Sequence, residues 1–213
     1  MKITEEVYAL DSTQGNYVYL VLAEEIVLID TGMPKNGKGI INELKSMDIS
    51  PHDIKDILIT HDDVDHVGGL ALLEKTSGAK IWASKLDIPH ITGELNRHII
   101  KRIMNYILKL KKPEKIHPYP EEGAVGDIKV INSPGHTVGH VCLLYKDVMF
   151  VGDLFRTKNG EIIHGPSFAN WNSAILKESV AKIEEYDFKW ICPAHGEPIK
   201  REDKLEAFIR SMY

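Results

Sequence analysis

The run that decides the fold is Ile59-Thr60-His61-Asp62-Asp63-Val64-Asp65-His66-Val67-Gly68-Gly69. It places two histidines and three aspartates within six residues, directly after the apolar run 57–59 and before two glycines. Imidazole and carboxylate groups are common protein ligands of transition metals, and this order is typical of a strand end, a ligand loop and a helix start. The run therefore predicts a metal site, in preference to a solvated polar loop that happens to contain histidine.

Three further candidate ligands lie downstream, and each follows an apolar run that predicts a strand: His136, Asp153 and His195. A sheet that stacks these strands brings the ligands to one edge, where seven candidates meet, namely His61, Asp63, Asp65, His66, His136, Asp153 and His195. Seven ligands exceed one tetrahedral ion and suit two divalent ions with a bridging carboxylate. Two such ions about 3.5 to 4 Å apart share a hydroxide near neutral pH, which predicts metal-assisted hydrolysis.

Composition narrows the class of protein. The 213 residues are 43% hydrophobic and 27% charged, so we predict one domain over residues 1–213. A net charge of −5 disfavours nucleic acid as a partner. The first six residues do not resemble a signal peptide and no apolar run is long enough for a membrane span, so we expect a cytoplasmic protein without membrane contact. Cys142 and Cys192 lie in apolar runs and are interpreted as reduced core residues.

The first part of the chain predicts an antiparallel meander over the β-type runs 7–10, 17–22 and 26–29. The third run ends in Asp30-Thr31-Gly32, so an aspartate stands at a strand end, where open sheets place site residues. Two roles stay open for Asp30 at this point: bracing the turn, or binding a metal directly.

A basic amphipathic helix is predicted over residues 94–112, where isoleucine, leucine and methionine recur at steps of three and four among lysines and arginines. We interpret 88–120 as a helical insertion near the active site. Three roles stay open for the helix: packing on the core, forming a lid over a substrate pocket, or contributing to the interface of a possible homodimer.

The order of the motifs resembles the metallo-β-lactamase superfamily, whose ligand pattern is H-x-H-x-D-H followed by a lone His, a lone Asp and a final His. The chain has His61-x-Asp63-x-Asp65-His66, Pro134-Gly135-His136-Thr137-Val138-Gly139-His140, Gly152-Asp153 and Ala194-His195-Gly196, preceded by Leu28-Ile29-Asp30-Thr31-Gly32. The resemblance runs from about Val7 to Gly196. It implies an α/β fold class, an αββα sandwich of two mixed β-sheets flanked by helices, with the site at the sheet edges.

The resemblance also implies a role for each candidate. His61, Asp63 and His136 would hold the first metal, Asp65, His66 and His195 the second, and Asp153 would bridge them. Asp65 is also the candidate catalytic residue that moves a proton. His140 is expected to donate or accept hydrogen bonds rather than bind metal. For His164 two roles stay open, a border of the substrate pocket or an ordinary surface position.

Asp63 departs from the family pattern, because most members have histidine there. A third carboxylate makes the site harder and less Lewis acidic, which favours iron or manganese over zinc as the two divalent metal ions.

Two functions follow from this site. The first is a metal-dependent hydrolase acting on a small-molecule ester, lactone, thioester or related substrate. The alternative is a flavodiiron-like redox di-iron protein lacking its flavin domain, because flavodiiron proteins carry a carboxylate at the position of Asp63. Hydroxyacylglutathione hydrolysis is disfavoured, since the chain ends about twenty residues after His195. A metal-binding scaffold without activity is the third interpretation.

Overall fold

The computed structural model describes residues 1–95 and 111–212. The chain divides into two compact units, Met1–Pro118 and Tyr119–Tyr213. Nearly all of the predicted basic helix over 94–112 lies outside the described residues, so the lid over 88–120 and the single domain over 1–213 stay predictions.

The first unit is built on one mixed sheet. Its strands in the described residues are β1 (Val7–Ala9), β2 (Tyr19–Leu22), β3 (Ile26–Ile29), β4 (Ile54–Leu58), β5 (Lys80–Ala83) and β6 (Ile116–Pro118), and they follow one another across the sheet in that order. β1, β2 and β3 pair antiparallel, which confirms the predicted meander. β3 to β6 pair parallel, so their carboxyl ends lie at one edge.

Helices of the first unit pack on this sheet and connect its parallel strands. They are α1 (Asn36–Ser46), α2 (Val64–Val67), α3 (Leu70–Ser77) and α4 (Ile88–Ile91), with 3-10 turns at Asp11–Thr13 and Pro51–Asp53. Ile40 and Leu44 of α1 and Leu70 and Leu73 of α3 are buried in one core with the strand residue Ile57. The helices therefore cover an apolar sheet face, as their three- and four-residue spacing predicts.

The second unit has its own mixed sheet. The strands are β7 (Ala124–Val125), β8 (Ile128–Asn132), β9 (Val141–Tyr145), β10 (Val148–Gly152), β13 (Trp190–Pro193) and β14 (Ile199–Lys200), in the order β14-β13-β10-β9-β8-β7. β9 and β10 form an antiparallel hairpin. β10 and β13 pair parallel, with Gly152 opposite Pro193, so the residues that follow these two strands start side by side.

A two-stranded hairpin and two described helices complete the second unit. The hairpin joins β11 (Arg156–Lys158) and β12 (Glu161–Ile163), and a 3-10 turn spans Ser167–Ala169. The helices are α5 (Ser173–Glu184) and α6 (Lys204–Ser211). α5 begins at Ser173, because the Asn172 side chain caps it by accepting hydrogen bonds from the N–H groups of Ala174 and Ile175.

The predicted α/β class with two mixed sheets is thus confirmed. Cys142 and Cys192 are fully buried in the second unit, and burial raises the pKa of the Cys142 thiol to about 12. Among the helices of residues 1–95 and 111–212, none combines the length and the hydropathy that a bilayer crossing requires.

Candidate metal centre

The ligand loop of the first unit begins where β4 ends. His61 and His66 are buried, whereas Asp63 and Asp65 are half-buried. The two imidazole rings lie 3.9 Å apart between centroids, and Asp63 Oδ2 lies 3.7 Å from His61 Nε2. Asp65 and His66 present ligand atoms within 4.8 Å of each other. One loop and one helical turn thus bring the four sequence-predicted ligands of this unit together.

A buried aspartate orients His66. Asp30 is 3% exposed, and its Oδ2 accepts a hydrogen bond of 2.8 Å from Nδ1 of His66. The same carboxylate accepts from the backbone N–H and the hydroxyl of Thr60, each at 2.8 Å. Because Nδ1 carries the proton, Nε2 of His66 is the nitrogen left to bind a metal. Of the two roles open to Asp30, the structure places it in the bracing one.

Thr60 serves His61 in the same way. Its hydroxyl already donates to Asp30, so its oxygen accepts from Nδ1 of His61 at 3.1 Å. The main chain of the loop is tied down as well: both the N–H and the hydroxyl of Thr31 donate to the carbonyl of His66, and the side-chain amide of Asn16 donates to the carbonyl of Asp65. These bonds within the protein hold the loop in place, which lowers the entropic cost of binding a metal.

In the second unit, the carboxylate of Asp153 stands between two histidines. Its Oδ2 lies 3.8 Å from Nε2 of His136 and 3.3 Å from Nε2 of His195. The parallel pairing of β10 and β13 explains half of this geometry, since Asp153 and His195 follow those strands and the Ala194 N–H donates to the carbonyl of Gly152. A carboxylate oxygen flanked by two imidazoles is the arrangement expected of a bridging ligand.

His136 is held from the start of α5. Asn170 Oδ1 lies 3.1 Å from Nδ1 of His136 and accepts a hydrogen bond from it, so Nε2 is the nitrogen that would bind a metal. The Trp171 N–H donates to the carbonyl of His136, and the Asn172 N–H donates to that of Gly135. The sequence reasoning missed Asn170, because nothing in its local sequence shows that it meets a histidine 34 residues away.

His195 is held by β11. The Thr157 N–H donates to the carbonyl of His195, and the Thr157 hydroxyl donates to that of Glu197. Gly196 has a φ of +102°, and a Cβ at this position would overlap the Thr157 carbonyl. Only glycine lets the chain pass this close to β11, so the glycine after the ligand fixes where the ligand lies.

His140 lies behind Asp153 in a chain of hydrogen bonds. Its Nε2 accepts from the Asp153 N–H at 3.2 Å, so its Nδ1 carries the proton and donates to Ser133, whose Oγ lies 2.9 Å away. Ser133 in turn donates to the sulfur of Cys142. All of these groups are buried. Both ring nitrogens of His140 thus have protein partners, which supports the predicted hydrogen-bonding role.

His164 is placed elsewhere. Its ring is exposed and packs on Phe208 of α6, with centroids 4.6 Å apart. This contact agrees with the surface alternative rather than with a place beside the ligands of the second unit.

The donor atoms fit divalent transition metals. Imidazole nitrogens with fixed tautomers and carboxylate oxygens are suitable ligands for zinc, iron and manganese. Asp63 increases the carboxylate share in the first unit, where its oxygen stands beside Nε2 of His61.

Comparison with known proteins identifies the family. The family model of the metallo-β-lactamase superfamily matches residues 10–195, most of the chain. The chain belongs to this superfamily. This confirms the family predicted from the motifs, and the match ends at the last predicted ligand, His195.

Individual superfamily members resemble the chain at low identity. The probable metallo-hydrolase YflN of Bacillus subtilis is 24% identical, over 91% of this chain and 84% of its own length. The hydroxyacylglutathione hydrolase of Shewanella loihica is 29% identical, over 84% of this chain but 61% of its own length. The solved structure of TTHA1623 in a di-iron-bound form matches with a TM-score of 0.71 at 24% identity, covering 90% of this chain and 91% of its own. A solved B3 metallo-β-lactamase matches with a TM-score of 0.73 at 18% identity, covering 98% of this chain and 85% of its own, which confirms the metallo-β-lactamase fold.

Proposed function

We propose that this superfamily member hydrolyses a small ester, lactone, thioester or related substrate at a centre of two divalent metal ions. That the chain is a hydrolase follows from the family match and from the hydrolase names of its relatives. The proposed ligands are those predicted from the sequence: His61, Asp63 and His136 for one ion, Asp65, His66 and His195 for the other, and Asp153 for both. The observation that carries the proposal is the Asp153 carboxylate flanked by Nε2 of His136 and His195.

Two divalent ions held side by side lower the pKa of a shared water and polarise a carbonyl oxygen. The protein's part is to hold the donors in place. Asp30, Thr60 and Asn170 fix which imidazole nitrogen faces outward, and His140 fixes the main chain at Asp153. Asp65, half-buried with its carbonyl held by Asn16, is proposed to accept the proton that the attacking water loses and to pass it to the leaving group.

Thioesters belong in the substrate class because hydroxyacylglutathione hydrolases are among the relatives. The match covers only 61% of that relative's length, so we do not propose that this chain acts on the same thiol. The proposal therefore covers the thioester bond and leaves the thiol open. The cytoplasmic location and the possible homodimer remain predictions.

Metal analysis of anaerobically purified protein, combined with a screen of lactones, thioesters and phosphodiesters, tests the proposal. We expect two ions per chain and turnover of an ester-like or thioester substrate. Two bound ions without turnover of any substrate would sink the hydrolase proposal.

A pair of histidine variants tests the ligand assignment. His195→Ala should lose one of the two ions preferentially, with at least a hundredfold loss of kcat/KM. His164→Ala is the matched control, because this histidine packs on Phe208 and should leave metal content and rate unchanged. Equal loss of both ions from His195→Ala would contradict the assignment.

Asp63 supports a second candidate, the redox di-iron protein. Its carboxylate lies beside His61 Nε2, and a carboxylate-rich set favours iron. TTHA1623, which shares the fold, was solved with two irons. Rapid consumption of oxygen or nitric oxide by the reduced protein, without hydrolysis in the screen, would replace the first candidate by the second.

A further inference from the structure

Two large aromatic side chains are exposed in the second unit within four residues of each other. Phe168 is 90% exposed and Trp171 is 49% exposed. Phe168 lies in the 3-10 turn Ser167–Ala169, and Trp171 directly precedes the N-cap of α5. Exposure of a whole phenylalanine ring is costly in water, and clustered exposed aromatics mark binding surfaces more often than isolated exposed residues do.

This aromatic pair is joined to a proposed metal ligand. The backbone N–H of Trp171 donates to the carbonyl of His136 at 2.9 Å, and the side chain of the neighbouring Asn170 accepts a hydrogen bond from Nδ1 of the same histidine. Trp171 directly follows Asn170 in the chain, and Phe168 lies two residues before Asn170. The main chain of the segment that carries both rings is therefore fixed to the main chain of His136.

The chemistry of the segment indicates what it binds. Residues 165–173 read Gly-Pro-Ser-Phe-Ala-Asn-Trp-Asn-Ser and carry no charged side chain. The Arg156 side chain lies close to Gly165, the end of the segment far from Trp171. Phosphate and carboxylate groups are recognised by lysine and arginine, whereas aromatic faces bind apolar chains and rings. The surface around Phe168 and Trp171 therefore suits an uncharged apolar group.

We propose that Phe168 and Trp171 form a binding platform for the apolar acyl chain of the substrate. This inference rests on the proposed hydrolase function, and it narrows the substrate class to esters, lactones or thioesters with a medium-length aliphatic or aryl acyl group. The platform sets specificity, and the metal ligands carry the reaction.

Kinetics on a series of acyl thioesters of one small neutral thiol, from acetyl to octanoyl, test the platform. Each fully buried methylene tightens binding about fourfold. We expect KM of the wild type to fall by at least about tenfold from acetyl to hexanoyl, and the double variant Phe168→Ala, Trp171→Ala to reduce this to less than about threefold. The metal content should stay unchanged, because neither ring is a proposed ligand.

Ile163→Ala is the matched control, since Ile163 is also an exposed apolar residue of the second unit, at 37%, and lies on β12. It should keep the full chain-length dependence of the wild type. Retention of that dependence in the double variant would overturn the proposal. If the Ile163→Ala control also lost the dependence of KM on acyl chain length, that dependence could not be assigned to Phe168 and Trp171.

A binding measurement separates the platform from hydrolysis. Octanamide should change the fluorescence of Trp171 and acetamide should not. The variant Trp171→Phe keeps an aromatic face but should lose the signal, which assigns it among the three tryptophans. Octanamide binding without turnover of any ester, lactone or thioester would leave the platform standing and refute the proposed function. Absence of any response to octanamide would overturn the platform.

A second copy of the chain is the competing occupant. Sedimentation of the wild type and Phe168→Ala tests it. We expect the same oligomeric state for both, and a dimer lost in Phe168→Ala with an intact chain-length dependence would reassign the pair to an interface.

Discussion

At the scale of single residues, the proposed ligands depend on side chains that do not bind metal themselves. Asp30, Thr60 and Asn170 each meet the Nδ1 atom of a proposed ligand histidine, at 2.8 to 3.1 Å. Such partners fix the tautomer and the ring orientation, and their loss commonly costs ten- to a hundredfold in metal affinity. The metal affinity of the centre is therefore expected to depend on side chains besides its seven proposed ligands.

Asp30→Asn should weaken metal binding by about tenfold, because an amide has one acceptor oxygen. It cannot accept from the Thr60 N–H, which now bonds Oδ1, and also from the Thr60 hydroxyl and His66, which now bond Oδ2. Asp30 has a φ of +62°, which asparagine tolerates as well as aspartate does. Competition with a metal chelator measures the change. The matched control is Asp48→Asn, an exposed aspartate with a φ of +58°, which should bind metal like the wild type.

Asp63→His should shift the bound metal towards zinc. Two divalent ions carry four positive charges, of which Asp63, Asp65 and Asp153 neutralise three, and the variant leaves one more charge uncompensated. A softer, more Lewis acidic site favours zinc over iron or manganese. Elemental analysis after growth with all three metals provides the measurement, and an unchanged metal content would show that the carboxylate does not select the ion.

At the scale of elements, strand ends and tight contacts place the ligands. β3 and β4 are parallel, so Asp30 and His61 follow neighbouring strands, and β10 and β13 do the same for Asp153 and His195. Two glycines allow the main chain beside proposed ligands to approach other elements closely. A Cβ at Gly135 would overlap Leu176 of α5, and a Cβ at Gly196 would overlap Thr157 of β11.

Gly196→Ala should destabilise the protein by about 3 kcal/mol or more, because its Cβ would overlap a backbone carbonyl that cannot move without breaking β11. Gly160→Ala is the matched control. Gly160 lies in the turn after β11 with a φ of +81°, and a Cβ there would face open space. Gly160→Ala should therefore cost only the backbone strain of a positive φ, about 1 kcal/mol, without a steric overlap.

Urea unfolding in the presence of chelator measures both variants without a metal contribution. Metal titration should then show weaker binding for Gly196→Ala alone. Equal free energies of unfolding for the two variants would refute the role of the Thr157 contact.

At the scale of the whole molecule, each unit has its own sheet and its own apolar core in the described residues. The proposed ligands are divided between them, with four in the first unit and three in the second. Metal binding is therefore expected to stabilise the folded chain as a whole.

Removal of metal should lower the melting temperature by about 10 °C or more. A site filled at a thousand times its dissociation constant adds about 4 kcal/mol, and 1 kcal/mol shifts the melting temperature of a chain of this size by about 2 to 4 °C. Calorimetry with and without chelator measures the shift. The shift should shrink in Asp153→Ala, the proposed bridging ligand, and equal melting temperatures of the wild type in both conditions would contradict the proposal.

The sequence by itself determined the family, the strands that precede the candidate ligands, and the candidate ligands themselves. Apolar runs at the right spacing mark β3, β4, β10 and β13, and the polar residues directly after them are the candidates. These features are local, since both the hydrophobic period and the position after a strand can be read along the chain.

Only the tertiary structure decided which partners hold these residues. Asp30 and His66 are 36 residues apart, and Asn170 and His136 are 34 apart. Ser133 and Thr157, which the sequence reasoning passed over, hold His140 and the main chain of His195. Such contacts form when strands pair and helices dock on them. Two residues more than thirty positions apart show no pattern along the chain that predicts their contact.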